Sequence, residues 1–131
     1  MILPRKVSPS TKLFYNDYNT KGIWAKSKAV YNFVADLKKR NILIGGVGLQ
    51  YHVSVKNQPA FGKINNLIDR YCKLGIEVHI TELDVSCEGA CGASNEQQQQ
   101  ATIFTNALKL VLTILVVRLS LFGVSVIMIV G

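Results

Sequence analysis

Residues 42–50 read Ile-Leu-Ile-Gly-Gly-Val-Gly-Leu-Gln, with no polar side chain until the last. A strand this apolar is buried on both faces, which is the habit of parallel sheets. Parallel neighbours need a crossover of roughly a dozen residues or more, usually a helix, and helical patterns flank the stretch on both sides. Upstream, Ala25–Arg40 places Val30, Phe33, Val34 and Leu37 on one face, with Lys38, Lys39 and Arg40 in the last turn, where cations suit the helix dipole. Downstream, Pro59 opens a second helix at its favoured first position. Ile64, Leu67, Ile68 and Tyr71 form its stripe, and Gly75 is its stop. Lys12–Tyr18 and Ile76–Val85 read as further strands, and Glu96–Leu112 as a third helix. The order β-α-β-α-β-α, repeating about every 30 residues, is that of right-handed βαβ units in an α/β fold.

The chain has 131 residues, 49% hydrophobic and 18% charged. That suits one domain, excludes disorder, and is too short for a complete (β/α)₈ barrel of about 250 residues. The net charge of +7 is unevenly spread. Residues 1–73 carry 13 basic and 3 acidic side chains, while residues 74–131 carry 2 and 5. A basic first half suits nucleic acid, but no such motif accompanies it, so Lys26, Lys28, Lys38, Lys39 and Arg40 are expected on a solvated helix face. No apolar core of a secretory leader occurs in the first ten residues. Leu108–Val117 and Leu119–Val130 together have the length of a membrane span, yet Arg118 would sit near mid-bilayer. The expectation is therefore a buried helix followed by a buried strand over Leu119–Ser125.

Three cysteines are too few for a disulfide scaffold. Cys87 and Cys91, spaced C-x3-C in a loop of small residues, are candidates for a local disulfide. Cys72, beside Ile68 and Tyr71, reads as a buried thiol. The only histidines are His52 and His79, neither close to the cysteine pair in sequence, so no metal site is expected.

In parallel α/β folds the working residues gather at the C-terminal ends of strands. Here those ends carry Asn16, Asp17, Tyr18 and Asn19, then Gln50, Tyr51 and His52, then Glu82 and Asp84. Strict alternation puts Val78, Ile80, Glu82 and Asp84 on one face and His79, Thr81 and Leu83 on the other. His79 is then expected to pack on a helix or lie at the surface. Gln50 and His52 share a face by the same rule. Carboxylates among aliphatics need hydrogen bonds or a function, and a histidine and a glutamine at the same level of the neighbouring strand favour a site. Gly45, Gly46 and Gly48 lie within a strand, not between strand and helix, so they are not a phosphate loop.

The runs KLFYNDYN (Lys12–Asn19), GGVGLQYHV (Gly45–Val53) and VHITELDV (Val78–Val85), in that order and spacing, resemble the glycoside hydrolase family 10 endo-xylanases. Ser120–Ser125 resembles the family's last strand, with Phe122 in place of the usual tryptophan and Val126 in place of the aspartate. The resemblance implies a partial (β/α)₈ barrel, roughly strands five to eight with their helices, over residues 1–125, followed by a divergent apolar tail at 126–131. It implies hydrolysis of internal β-1,4 bonds of xylan or a related polysaccharide with retention of configuration, without a cofactor. By position, Glu82 matches the nucleophile, His52 the histidine that hydrogen-bonds it, and Asp84 the carboxylate that holds that histidine. Gln50 and Tyr18 match cleft residues that meet the sugar. Retention needs a second, protonated carboxylate about 5–5.5 Å from the nucleophile, and the family's W-D-V-x-N-E motif that supplies it does not occur here. The expectation is a secreted-family fragment, inactive alone and prone to self-association through its open half-barrel, with no nucleic-acid or membrane partner. The alternatives are a non-catalytic carbohydrate-binding or assembling half-barrel, or a fragment anchored through Leu108–Val130.

Overall fold

The computed structural model describes residues 10–21, 24–87 and 94–119. Three parallel strands, β1 (Phe14–Asp17), β2 (Gly46–Ser54) and β3 (Glu77–Ser86), form one sheet in the order β1-β2-β3. Helices α1 (Ala25–Lys39), α2 (Phe61–Lys73) and α3 (Ser94–Leu119) follow them in turn. This is the expected β-α-β-α-β-α order: a partial α/β barrel with an open sheet.

The helix-facing side of the sheet is aliphatic. Val47, Leu49, Tyr51 and Val53 of β2 and Val78, Ile80, Leu83 and Val85 of β3 join Val30, Val34 and Leu37 of α1 and Ile64, Leu67, Ile68 and Tyr71 of α2 in one core. From α3 the core takes Ile103, Ala107, Leu110 and Val111, spaced to share one face. Of the α1 stripe, Phe33 is displaced outward, 44% exposed, with its ring 5.3 Å from that of Tyr15. Cys72 is a half-buried free thiol.

Both described helix-to-strand junctions close in the same way. At the end of α1, Asn41 takes φ 54°, its N–H reaches the carbonyl of Lys38 (3.0 Å) and that of Ile42 reaches Leu37 (2.9 Å). At the end of α2, Gly75 takes φ 67°, its N–H reaches Cys72 (2.9 Å) and that of Ile76 reaches Tyr71 (3.1 Å). These are Schellman closures, each with an isoleucine as the residue whose N–H closes the longer bond. They explain why β2 does not begin at Ile42 as the sequence predicts: that residue's N–H belongs to the helix cap, and the strand starts at Gly46 and runs on to Ser54. Likewise Pro59 is not the first helical residue. It is buried just ahead of the N-cap, Ala60.

The end of α3 departs further. Nothing between Ser94 and Leu119 is glycine or proline, and the helix runs 26 residues, past the expected stop at Leu112. Leu119, expected to open a fourth strand, is its last residue. The remainder of that strand (120–125) and the tail at 126–131 lie outside the described residues. Among the described residues no helix is long and apolar enough to cross a membrane, and residues 120–130 of the alternative Leu108–Val130 span are not among them.

The larger correction concerns β3. Its pairing with β2 runs from Gly46↔Glu77 to Gln50↔Thr81, then resumes at His52↔Asp84. Tyr51 thus faces two residues, Glu82 and Leu83, and Glu82 is the extra one, at φ 55°. Such a bulge breaks period-two alternation. Val78 and Ile80 therefore face the helices, not the same side as Glu82 and Asp84, and Leu83 and Val85 face the helices beyond the bulge. His79 is on the inner face with Thr81 and Asp84, and its ring lies 4.3 Å from that of Phe14. It is not a helix-packing histidine.

The inner face draws β1 close to β2. A Cβ on Gly46 would lie 2.0 Å from the Phe14 ring, and one on Gly48 2.3 Å from the Asn16 side-chain oxygen. Both glycines are present for this close approach. Gly46→Ala is expected to lower stability by about 1–3 kcal/mol through overpacking against Phe14. Gly62→Ala, on an exposed turn of α2 where a Cβ meets nothing within 4 Å, is expected to raise it by about 0.4–1 kcal/mol. Urea unfolding midpoints measure both.

Candidate active site

The strand ends converge on His52. Its Nε2 lies 3.1 Å from Glu82 Oε2, and its Nδ1 is hydrogen-bonded to Asp84 Oδ2. One imidazole from β2 thus bridges two carboxylates from β3. The bridge depends on the bulge, which turns Glu82 out of the regular pleat so that it and Asp84 both reach one ring. The carboxylates are not buried among aliphatics as alternation suggests. The side chains of His52, Glu82 and Asp84 are 44%, 43% and 52% exposed on the open inner face.

The second oxygen of Glu82 is held from β1. Asn16 Nδ2 donates to Glu82 Oε1 (3.2 Å), and the Thr81 hydroxyl donates to Asn16 Oδ1 (2.9 Å). The hydroxyl fixes the amide so that its N–H₂ end, and not its oxygen, meets the carboxylate. Both oxygens of Glu82 are therefore engaged, and the carboxylate plane is set by three strands.

The two carboxylates act together on His52. Hydrogen bonding to Asp84 raises the imidazole's pKa above its usual value, with the bond to Glu82 adding to it and partial burial opposing. An imidazolium donates from both nitrogens at once, which a neutral ring cannot do.

A second cluster sits at the end of β1. Asp17 accepts from Lys26 (2.9 Å) and from the Tyr15 hydroxyl (3.1 Å). The bond from Lys26 is the main reason its carboxyl is held below the usual carboxylate range. Tyr18, 58% exposed, lies beneath the Lys26 ammonium, 3.4 Å from its ring centroid. Beside His52 opens a pocket of ≈ 230 Å³ lined by Asn19, Lys21, Trp24, His52, Val53, Ser54, Asn57, Asp84 and Ser86.

The structure brings together three of the residues singled out in the sequence, Glu82, His52 and Asp84. Gln50 is on the same face one pleat earlier, opposite Thr81. Tyr18 belongs to the Asp17–Lys26 cluster, and neither it nor Gln50 lines the pocket. Cys87 is disulfide-bonded; Cys91, its expected partner, lies outside the described residues. Among the described residues no group of three or more His, Cys, Asp or Glu could hold a metal ion. Sequence reasoning placed Asn16 at a strand end without assigning it a role, and missed Thr81 and Lys21. Gly48 carried a signal for Asn16, since a glycine inside a strand marks close backbone approach, and Asn16 is the residue opposite it on β1. Lys21 carried none.

Comparison with known proteins places this geometry. Residues 3–125 match the model of glycosyl hydrolase family 10. The chain is 65% identical over 105 residues to an endo-1,4-beta-xylanase B of Neocallimastix patriciarum, covering 80% of this chain and 12% of that protein. It is 38% identical over 96 residues to an endo-1,4-beta-xylanase of Agaricus bisporus, covering 73% and 28%. Among solved structures, a glycosylated endo-beta-1,4-xylanase of Gloeophyllum trabeum superposes with a TM-score of 0.80 at 28% identity, over 99% of this chain and 37% of that one. Xylanase 10B of Thermotoga petrophila in complex with xylobiose gives 0.79 at 28% identity, over 97% and 36%. The chain thus spans about a third or less of the length of these relatives.

The raised value of His52 has a measurable consequence. The imidazolium bridge contributes stability that is fully present below the unfolded histidine value of about 6.5 and is lost as pH rises through the higher folded midpoint. NMR titration of the His52 ring is expected to give a midpoint above 6.5, and Asp84→Asn to bring it down. A midpoint unmoved by that substitution would contradict the bridge.

Proposed function

Because the chain belongs to glycosyl hydrolase family 10, we propose that it carries the nucleophile side of a retaining endo-1,4-β-xylanase site, with Glu82 as the nucleophile and xylan as the substrate class. The observation that carries this reading is the double anchoring of Glu82. His52 holds one carboxylate oxygen and Asn16 the other, on the open face of the sheet.

A retaining hydrolase attacks the anomeric carbon with an ionised carboxylate and forms a covalent glycosyl–enzyme ester. The leaving oxygen takes a proton from a second carboxylic acid, and water then cleaves the ester with that residue acting as base. Hydrogen bonds from His52 and Asn16 hold the Glu82 carboxylate in one orientation. Asp84 contributes by fixing His52 in place. Engaged with the imidazole, Asp84 is poorly placed to be the acid, and the W-D-V-x-N-E motif that supplies it in the family does not occur in this sequence, so in this reading the chain alone does not turn over unactivated xylan. Gln50 and Tyr18 are assigned to sugar binding beside it. The disulfide at Cys87 supports an oxidising, extracellular setting.

A 2-deoxy-2-fluoro xyloside with a dinitrophenolate leaving group separates the two carboxylate roles, because its departure needs no acid. Mass spectrometry of the chain after incubation is expected to show one covalent adduct, on Glu82, and none in Glu82→Gln. An adduct on Asp84, or one retained in Glu82→Gln, would overturn the assignment. Release of reducing ends from plain xylan by this chain would overturn the reading that it lacks the acid.

A further inference from the structure

Lys21, in the connection between β1 and α1, is only 6% exposed. A buried ammonium is costly unless its protons and its charge are both answered. Its Nζ donates to the main-chain carbonyl of His52, and the carboxylate facing it across the pocket is Asp84. His52 is thus gripped at its carbonyl by Lys21 as well as at its two ring nitrogens by Asp84 and Glu82. We propose that Lys21 is a positioning residue of the His52–Asp84–Glu82 network, acting through the His52 main chain and the charge of Asp84.

The chemistry is that of a counter-charge shared between strand ends. The titratable groups lining the pocket are Lys21, His52 and Asp84. Glu82 faces the imidazole from β3, and the Asp17–Lys26 pair closes the end of β1. Burial pulls the Lys21 pKa below its usual value, and Asp84 opposes that pull. Asp84 thus stands between two cations, hydrogen-bonded to the imidazole on one side and facing the Lys21 ammonium on the other, so the turn after β1 helps set how firmly the imidazole is held. The importance of this for catalysis rests on the reading of Glu82 as nucleophile, but the coupling itself does not.

The test is a pair of titrations on the folded full chain. In Lys21→Met the His52 ring midpoint is expected to rise by about half a pH unit, since the carboxylates facing it lose their counter-charge. Lys21→Arg is expected to keep it near the wild-type value. In turn, Asp84→Asn is expected to lower the Lys21 ammonium midpoint, because it removes the negative charge that opposes the pull of burial. Unfolding of Lys21→Met leaves this second titration, which alters no residue of the β1–α1 connection, to decide the matter. An unchanged His52 midpoint in folded Lys21→Met, or an unchanged Lys21 midpoint in Asp84→Asn, would overturn the proposal. Intact coupling with no adduct on Glu82 would instead sink only the nucleophile reading.

Discussion

The left-handed backbone at Glu82 is the constraint on which the site depends. A non-glycine residue there costs roughly 1–2 kcal/mol, and the other described non-glycine residues with positive φ, Asn19 and Asn41, are of a type that tolerates it. Glu82 is not. Its conformation persists because the ladder on either side is fixed, from Gly46↔Glu77 to Gln50↔Thr81 before it and from His52↔Asp84 after it. The extra residue leaves Leu83 and Val85 in the core while Glu82 and Asp84 both reach His52. Without the bulge, either the core or the carboxylate pair would face the wrong way.

Around that point the sheet separates two kinds of surface. The helix side is predominantly aliphatic and decides which face of each strand is buried. The inner side is built from short-range polar contacts made possible by small residues. Gly48 lets Asn16 approach, Asn16 holds Glu82, and Thr81 orients Asn16. The arrangement is cumulative: each inner contact requires that the aliphatic layer behind it has already fixed the register.

Much of this was legible in the sequence because it depends on period and punctuation. The apolar run at 42–50 implies a parallel sheet, the Ile64–Tyr71 stripe implies a buried helix face, and Gly75 marks a stop. His52, Glu82 and Asp84 were identifiable as polar groups at adjacent strand ends. What alternation could not provide was the bulge, because one extra residue leaves no mark in composition and moves the residues before it to the opposite face. For that reason alternation puts His79 on the wrong face while it keeps Glu82 and Asp84 together. The start of β2 was misread because an isoleucine in a Schellman closure is as apolar as one in a strand. The length of α3 was underestimated because no residue up to Leu119 breaks a helix. Lys21 was invisible, since burial of a lysine depends on which carbonyl it meets, and that is a property of the fold.

The matching closures at Asn41–Ile42 and Gly75–Ile76 have a consequence for how such a chain can change over time. Helices α1 and α2 both end through the same pair of hydrogen bonds, with an isoleucine as the second donor. The boundaries of successive units are therefore stereochemically equivalent seams. A segment running from one seam to the next can be duplicated, or exchanged for the corresponding piece of a related chain, and still leave its helix by the same turn, while the stretch before the strand, long at Ile42–Gly45 and absent after Ile76, is free to differ. Diversification can then proceed by shuffling whole units, while the loops at the opposite ends of the strands vary independently.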